Sequence, residues 1–201
     1  MDLLLQMYPK TTHKWEYISR NPDCTRWLVG NSQMANFNGS REYNITYKRG
    51  GKILELVSEA EWLVSVRATH IVIDGIQNSV RELIGGQVNL EREVLDKLKE
   101  MNKKAIVVLA EALYCPEHTR YETNIHRINR QIKRINREAS GLASPTPWTV
   151  LAKIKRKQDR REKDSLIIFP DSFARDGYHI NKEKILEYEA EIARHMDGMI
   201  A

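Results

Sequence analysis

Five short apolar runs separated by helical patterns predict an α/β fold: a three-layer α/β/α sandwich of flavodoxin-like type around a five-stranded, mostly parallel sheet. Two observations carry this reading. Residues 69–74 hold a dense β-branched run and 105–110 are apolar throughout, as in strands buried on both faces of a parallel sheet. Between such runs, apolar residues recur at helical spacing, supplying the crossovers that parallel strands need. The 201 residues, 41% hydrophobic and 29% charged, suit one globular domain (1–201) with its core at about 25–197.

The elements follow in order. Residues up to Asp23 are polar and irregular. Trp27, Leu28 and Val29 form the first strand, which stops at Gly30 and leads into a polar corner, Asn31-Ser32-Gln33; a short helix over 33–37 follows. Residues 42–47 alternate polar with β-favouring side chains and make a second strand, ending in a turn at Gly50-Gly51. Ile53, Leu56, Val57, Ala60, Leu63 and Val64 define a helix over 52–66. The third strand, 69–74, closes at Gly75-Ile76-Gln77-Asn78, and a helix over 90–102 follows. The fourth strand is 105–110, and a long helix over 119–139 carries Ile125, Ile128, Ile132 and Ile135 on one stripe. Gly141 and the Ser144-Pro145-Thr146-Pro147 run end it and begin a basic excursion over 141–164. Residues 165–169 form the fifth strand, stopped by Pro170, and the last helix covers 181–196.

Composition narrows the function classes. No apolar run approaches the ~18–20 residues of a membrane span. Residues 1–7 lack a basic flank and an apolar stretch of leader length, so a cytoplasmic or otherwise intracellular setting is expected. Cys24 and Cys115 could form one disulfide but make no framework and no metal spacing; a reducing compartment is expected. The net charge of +5 is concentrated in two places: Arg127, Arg130, Arg134 and Arg137 along the long helix, and Lys153, Lys155, Arg156, Lys157, Arg160, Arg161 and Lys163 in the excursion. Such stripes are most often solvated faces, with RNA or another nucleic acid as the alternative partner.

In open α/β sheets, ligands bind beyond the carboxyl ends of the strands. Here those ends carry Ser32, Gly50-Gly51, Gln77-Asn78 and the segment 171–179 with Asp176 and His179. Each has an ordinary structural explanation: Ser32 as a turn or capping residue, Asp176-Gly177 as a turn pair, His179 as a surface side chain. Together they supply what acyl transfer needs. A serine hydroxyl is a poor nucleophile until a histidine takes its proton, and the histidine needs a carboxylate to fix its tautomer. The oxyanion needs pre-placed donors, each worth roughly 3–4 kcal/mol of barrier.

In the order and placement of these motifs, from Trp27 to Met196, the chain resembles the SGNH hydrolases, or GDSL-type esterases. Gly30-Asn31-Ser32 stands where that family has G-D-S, and Asp176-Gly177-Tyr178-His179 reproduces its D-x-x-H. The chain departs from the family at Asn31, in place of aspartate, and in the third block, where the spacing G-x-N-D puts Gln77 in the asparagine slot. The resemblance implies a serine esterase acting on a small acyl ester, with Ser32 as nucleophile, His179 as base and Asp176 orienting it. It implies an oxyanion hole of Ser32, Gly51 and Asn78, with Gly50 and Gln77 as alternatives, and no metal or organic cofactor. The substrates it implies are esters, lipids or acylated carbohydrates. Related domains in retrotransposon and viral proteins leave a second expectation open: an inactive module of the same fold that binds RNA or a protein through its basic surface.

Overall fold

The computed structural model describes residues 14–79, 88–113, 122–146, 152–155, 165–168, 173–176 and 179–200. A five-stranded sheet has the order β1-β3-β2-β4-β5, built from β1 Glu16–Ile18, β2 Arg26–Gly30, β3 Asn44–Tyr47, β4 His70–Ile73 and β5 Ile106–Leu109. Strands β2 to β5 are parallel, and β1 lies antiparallel along the outer edge of β3. The register aligns Leu28, Ile45, Val72 and Val108 in one row across the sheet. Because successive side chains alternate faces, that row enters one core, while Trp27, Val29, Ile71, Ile73, Val107 and Leu109 enter the other.

The helices divide between these faces. Helices α1 Ile53–Val66, α2 Val88–Met101 and α3 Glu122–Ala139 cover one, and α4 Ile185–Ile200 covers the other with Met34 and Phe37. Helix α1 forms because Ile53, Leu56, Val57, Ala60 and Leu63 fall on a single stripe. Its first turn is fixed by two bonds: Lys52 N–H to the Glu55 carboxylate at 3.3 Å, and Ile53 N–H to Ser79 Oγ at 2.8 Å. Helix α4 buries Ile185, Tyr188, Ile192 and Met196, as their spacing predicts. No helix among the described residues is long and apolar enough to cross a membrane. Cys24 is a free thiol, and Cys115 lies outside the described residues.

The fifth strand is not the expected one. Ser165–Ile168 pairs antiparallel with Ala152–Lys155 in a separate two-stranded sheet. The main sheet takes its fifth strand from Glu16–Ile18, in the stretch read as irregular. The outer edge of β5 shows why no strand is needed there. Asn136 accepts from Leu109 N–H at 2.9 Å and donates to Leu109 O at 2.8 Å. Asn129 accepts from Ala112 N–H at 2.7 Å and donates to Ala112 O at 3.3 Å, and Pro145 O takes Glu111 N–H at 2.9 Å. Asn102 does the same within the strand, accepting Val107 N–H at 3.1 Å and donating to Val107 O at 3.0 Å. Three carboxamides and one carbonyl thus satisfy the backbone groups that a neighbouring strand would have paired. Ser144 and Pro145, in the expected excursion, are buried and pack against this edge.

One carboxyl is buried far from the strand ends. Glu59 of α1 is 4% exposed, and burial pushes its carboxyl from 4.5 up to about 8, partly opposed by the nearby Tyr17 hydroxyl. Tyr17 also meets Trp27 edge-on, with ring centroids 6.3 Å apart, and so fastens β1 to the core.

Two predictions follow from this packing. Replacing Asn136 by leucine strips Leu109 N–H and O of their partners, at about 1–3 kcal/mol for each buried group left unpaired. Denaturant unfolding should show this loss, against about 0.5–1.5 kcal/mol for Ile132→Val as a packing control; a loss no larger than the control's would contradict the edge-capping role. Glu59 holds its proton in the folded chain over a range where the unfolded chain has released it. Stability therefore falls as pH rises from 4.5 to about 8 and levels off above that. Thermal midpoints measured across this window should fall less steeply in Glu59→Gln, and parallel slopes would count against the assignment.

Candidate active site

The parallel strands reverse their order between β2 and β4, and ligands of such sheets bind where that reversal opens a crevice. Strand β2 ends at Gly30, and a 3-10 turn over Ser32–Asn36 follows at once. Asn31 is the residue before that turn and is 1% exposed; its Oδ1 accepts Gln33 N–H at 3.0 Å. Its Nδ2 donates to Gly75 O at 3.4 Å, tying the corner to the end of β4. The neutral amide thus caps as an aspartate would and also donates, which an ionised aspartate cannot. Gly75 is required for this approach: its φ is +109°, and a Cβ there would stand 2.9 Å from Asn31 Cγ.

Ser32 is half-buried, and its Oγ lies 2.9 Å from His179 Nε2. His179 Nδ1 lies 2.6 Å from Asp176 Oδ2, while Asp176 Oδ1 accepts the His179 backbone N–H at 2.9 Å. One carboxylate therefore fixes both the loop and the ring. The loop closes on itself through a bridge between Phe173 and Ile180 and a bond from Ala174 N–H to His179 O at 2.8 Å. Three residues singled out in the sequence are thus in one line of contacts.

The remaining rim residues are close to one another. Gly50 has φ +68° in the turn that joins β3 to α1, and Gly51 N–H donates to Lys48 O at 3.0 Å. Asn78 Nδ2 donates to Gly51 O at 3.0 Å, linking the second and third strand ends. Gln77 is 1% exposed, and neither atom of its amide has a hydrogen-bond partner among the described residues. The resting turn therefore occupies the Gly51 N–H, and Asn78 is the half-exposed amide of the pair.

Sequence reasoning missed three side chains around this corner. Gln33 read only as the start of a helix, yet it is 2% exposed and its Oε1 accepts Ile180 N–H at 3.0 Å. Asp74 and Tyr188 read as strand and core, yet Tyr188 donates to Asp74 Oδ2 at 2.7 Å beneath the Gly75 turn. Burial pushes the Asp74 carboxyl up to about 6, with the Tyr188 bond opposing. A charge at the end of the apolar run 71–73 was the available signal.

The basic residues lie elsewhere. Arg127, Arg130, Arg134 and Arg137 are exposed on α3, whose apolar stripe packs on the sheet face opposite Met34; Arg134 pairs with Glu91. Lys133 sits 3.1 Å from buried Glu111 and lines, with Arg137 and residues 141–144, a cleft of about 350 Å³ that includes none of the rim residues. Arg156, Lys157, Arg160 and Arg161, and the side chain of Lys155, fall outside the described residues. No group of histidine, cysteine and acidic residues suited to a metal ion occurs among the described residues.

No family model and no curated protein sequence matches the chain. Solved structures do. A member of the lipolytic protein G-D-S-L family from Veillonella parvula matches with TM-score 0.58 at 12% identity, over 84% of this chain and 96% of that one. A lipase/acylhydrolase from Enterococcus faecalis matches with TM-score 0.58 at 15% identity, over 87% and 96%. The esterase domain of the ZfL2-1 ORF1 protein from a zebrafish retrotransposon aligns at 12% identity over 86% and 98%, with TM-score 0.39. At these identities the likeness concerns architecture, and the mixed five-stranded sheet with its flanking helices is an SGNH hydrolase-like fold.

Proposed function

We propose that the chain is a single-domain serine esterase that cleaves small acyl esters through an acyl-serine intermediate. The observation that carries this is the bond of 2.9 Å between Ser32 Oγ and His179 Nε2, residues 147 positions apart, with Asp176 on the other ring nitrogen. A capping serine needs no imidazole, and a surface histidine needs no serine; their meeting at the crevice is what nucleophilic acyl transfer requires.

In the reaction, the Ser32 Oγ lone pair attacks the ester carbonyl carbon while the hydroxyl proton passes to His179 Nε2. The carbonyl π pair moves onto oxygen. Collapse of the tetrahedral adduct expels the alcohol oxygen, which takes the proton from Nε2. Water then attacks the acyl-serine, gives its proton to Nε2, and the proton returns to Ser32 Oγ as the acid leaves. Asp176 accepts the Nδ1–H throughout and stabilises the transient imidazolium.

The oxyanion donors are the Ser32 N–H, which at the first position of its turn has no acceptor within that turn, and the Asn78 amide. Gly51 N–H joins them when it leaves or shares its bond to Lys48 O, and Gly50 and Gln77 are the alternatives. No cofactor enters these steps. Esters of lipids or acylated carbohydrates are the substrate class proposed, in keeping with the lipolytic and acylhydrolase neighbours.

Hydrolysis of p-nitrophenyl acetate tests the reading. Ser32→Ala should lower the rate by at least about 100-fold; equal rates in the two proteins would remove Ser32 as nucleophile. Removing the imidazole in His179→Ala should lower the rate by about 100-fold or more, and a rate within about twofold of the unmodified chain would contradict His179 as the base.

A further inference from the structure

The turn carrying Ser32 and the loop carrying His179 come from opposite ends of the chain, and something must fix their separation. The bridge between Phe173 and Ile180 and the bond from Ala174 N–H to His179 O shape the loop internally. They do not place it relative to Ser32. The side chain of Ile180 is buried in the same core as Met34, but apolar contact is non-directional. Gln33 supplies a directional link among the described residues. Its backbone follows Ser32, its own N–H is held by Asn31 Oδ1 at 3.0 Å, and its Oε1 takes the N–H of Ile180, the residue after His179, at 3.0 Å.

We propose that Gln33 is a positioning residue: a carboxamide clamp that ties the nucleophile's turn to the base's loop and so sets the distance between Ser32 Oγ and His179 Nε2. The proposal rests on the reading of those two residues as nucleophile and base. At 2% exposure Gln33 is shielded from water, so no solvent molecule replaces its acceptor. Leucine keeps roughly its shape and loses the acceptor. Asparagine keeps the acceptor but is one methylene too short to reach. Glutamate keeps both the length and an oxygen that accepts the Ile180 N–H. The clamp touches no substrate atom, so its loss appears in the chemical step and not in binding.

The test is the steady-state hydrolysis of p-nitrophenyl acetate by the full chain and by Gln33→Leu, Gln33→Glu, Val57→Ala and Ser32→Ala, each with its thermal midpoint. Val57 is buried in the core on the other face of the sheet and reports what destabilisation alone does. We expect kcat to fall about 10- to 100-fold in Gln33→Leu, as for a displacement of roughly 1 Å between reacting groups. KM should stay within about twofold, Gln33→Glu should recover most of the loss, and Val57→Ala should lower the midpoint while leaving kcat intact. The proposal is overturned if Gln33→Leu keeps kcat within about twofold of the unmodified chain. It is also overturned if Gln33→Glu is as impaired as Gln33→Leu, or if Val57→Ala loses kcat to the same degree. Full activity in Ser32→Ala, or none in the unmodified chain, defeats the esterase reading itself and the clamp with it; loss in Ser32→Ala without loss in Gln33→Leu defeats the clamp alone.

Discussion

A contact between Ser32 and His179 closes a loop of 147 positions, and the fold supplies the rigidity that this closure requires. The parallel strands do the first part. Strand β2 has partners on both sides, so the backbone that ends at Gly30 is held before the turn begins. Asn31 then caps the turn and reaches to Gly75, which fixes the direction in which the serine leaves the sheet. From the other end, α4 packs into the core that contains Met34 and Phe37, and the loop before it is brought back over the corner. Closing a long loop costs entropy that grows only slowly with its length. Sequence separation therefore matters less here than the stiffness of the two elements that meet.

Carboxamides recur wherever this stiffness is needed. Asn31 and Gln33 tie the corner, Asn78 links two strand ends, and Asn129 and Asn136 finish the edge of β5. An amide can give and accept at once without burying a charge, which suits a backbone with both a donor and an acceptor to satisfy. Buried carboxylates are met in different ways: by surrounding donors, by the Lys133 ammonium at Glu111, or by a pKa raised through desolvation. Glu189 takes bonds from Asn38 N–H, Gly39 N–H and the Tyr43 hydroxyl, whereas Glu59 and Asp74 are pushed upward by desolvation.

Much of this was readable in the sequence, for physical reasons. Strands buried on both faces must be apolar, so the polar residues that follow them stand out, and Ser32 and Asn78 were singled out that way. Asp176 and His179 were singled out after the run 165–169, which pairs in a separate hairpin and not in the main sheet. The edges were not readable. Glu16–Ile18 is three residues long and has no periodicity to detect. The run 165–168 is β-favouring whether it pairs in a central sheet or in a hairpin, because propensity does not name a partner. Yet the reason β5 needs no further strand was present. Asn129 and Asn136 fall in phase with Ile125, Ile128, Ile132 and Ile135, so two polar side chains occupied core positions of α3. Gln33 gave less warning, since one amide in a short turn has no pattern around it.

The proposed function stands or falls on whether His179 makes Ser32 nucleophilic. The most direct measurement is the rate and site of labelling by a fluorophosphonate, mapped by mass spectrometry in the unmodified chain and in His179→Ala. A single adduct on Ser32 is expected, forming at least about 100-fold more slowly once the imidazole is removed. Labelling at another residue, or equal rates on Ser32 with and without His179, would contradict it.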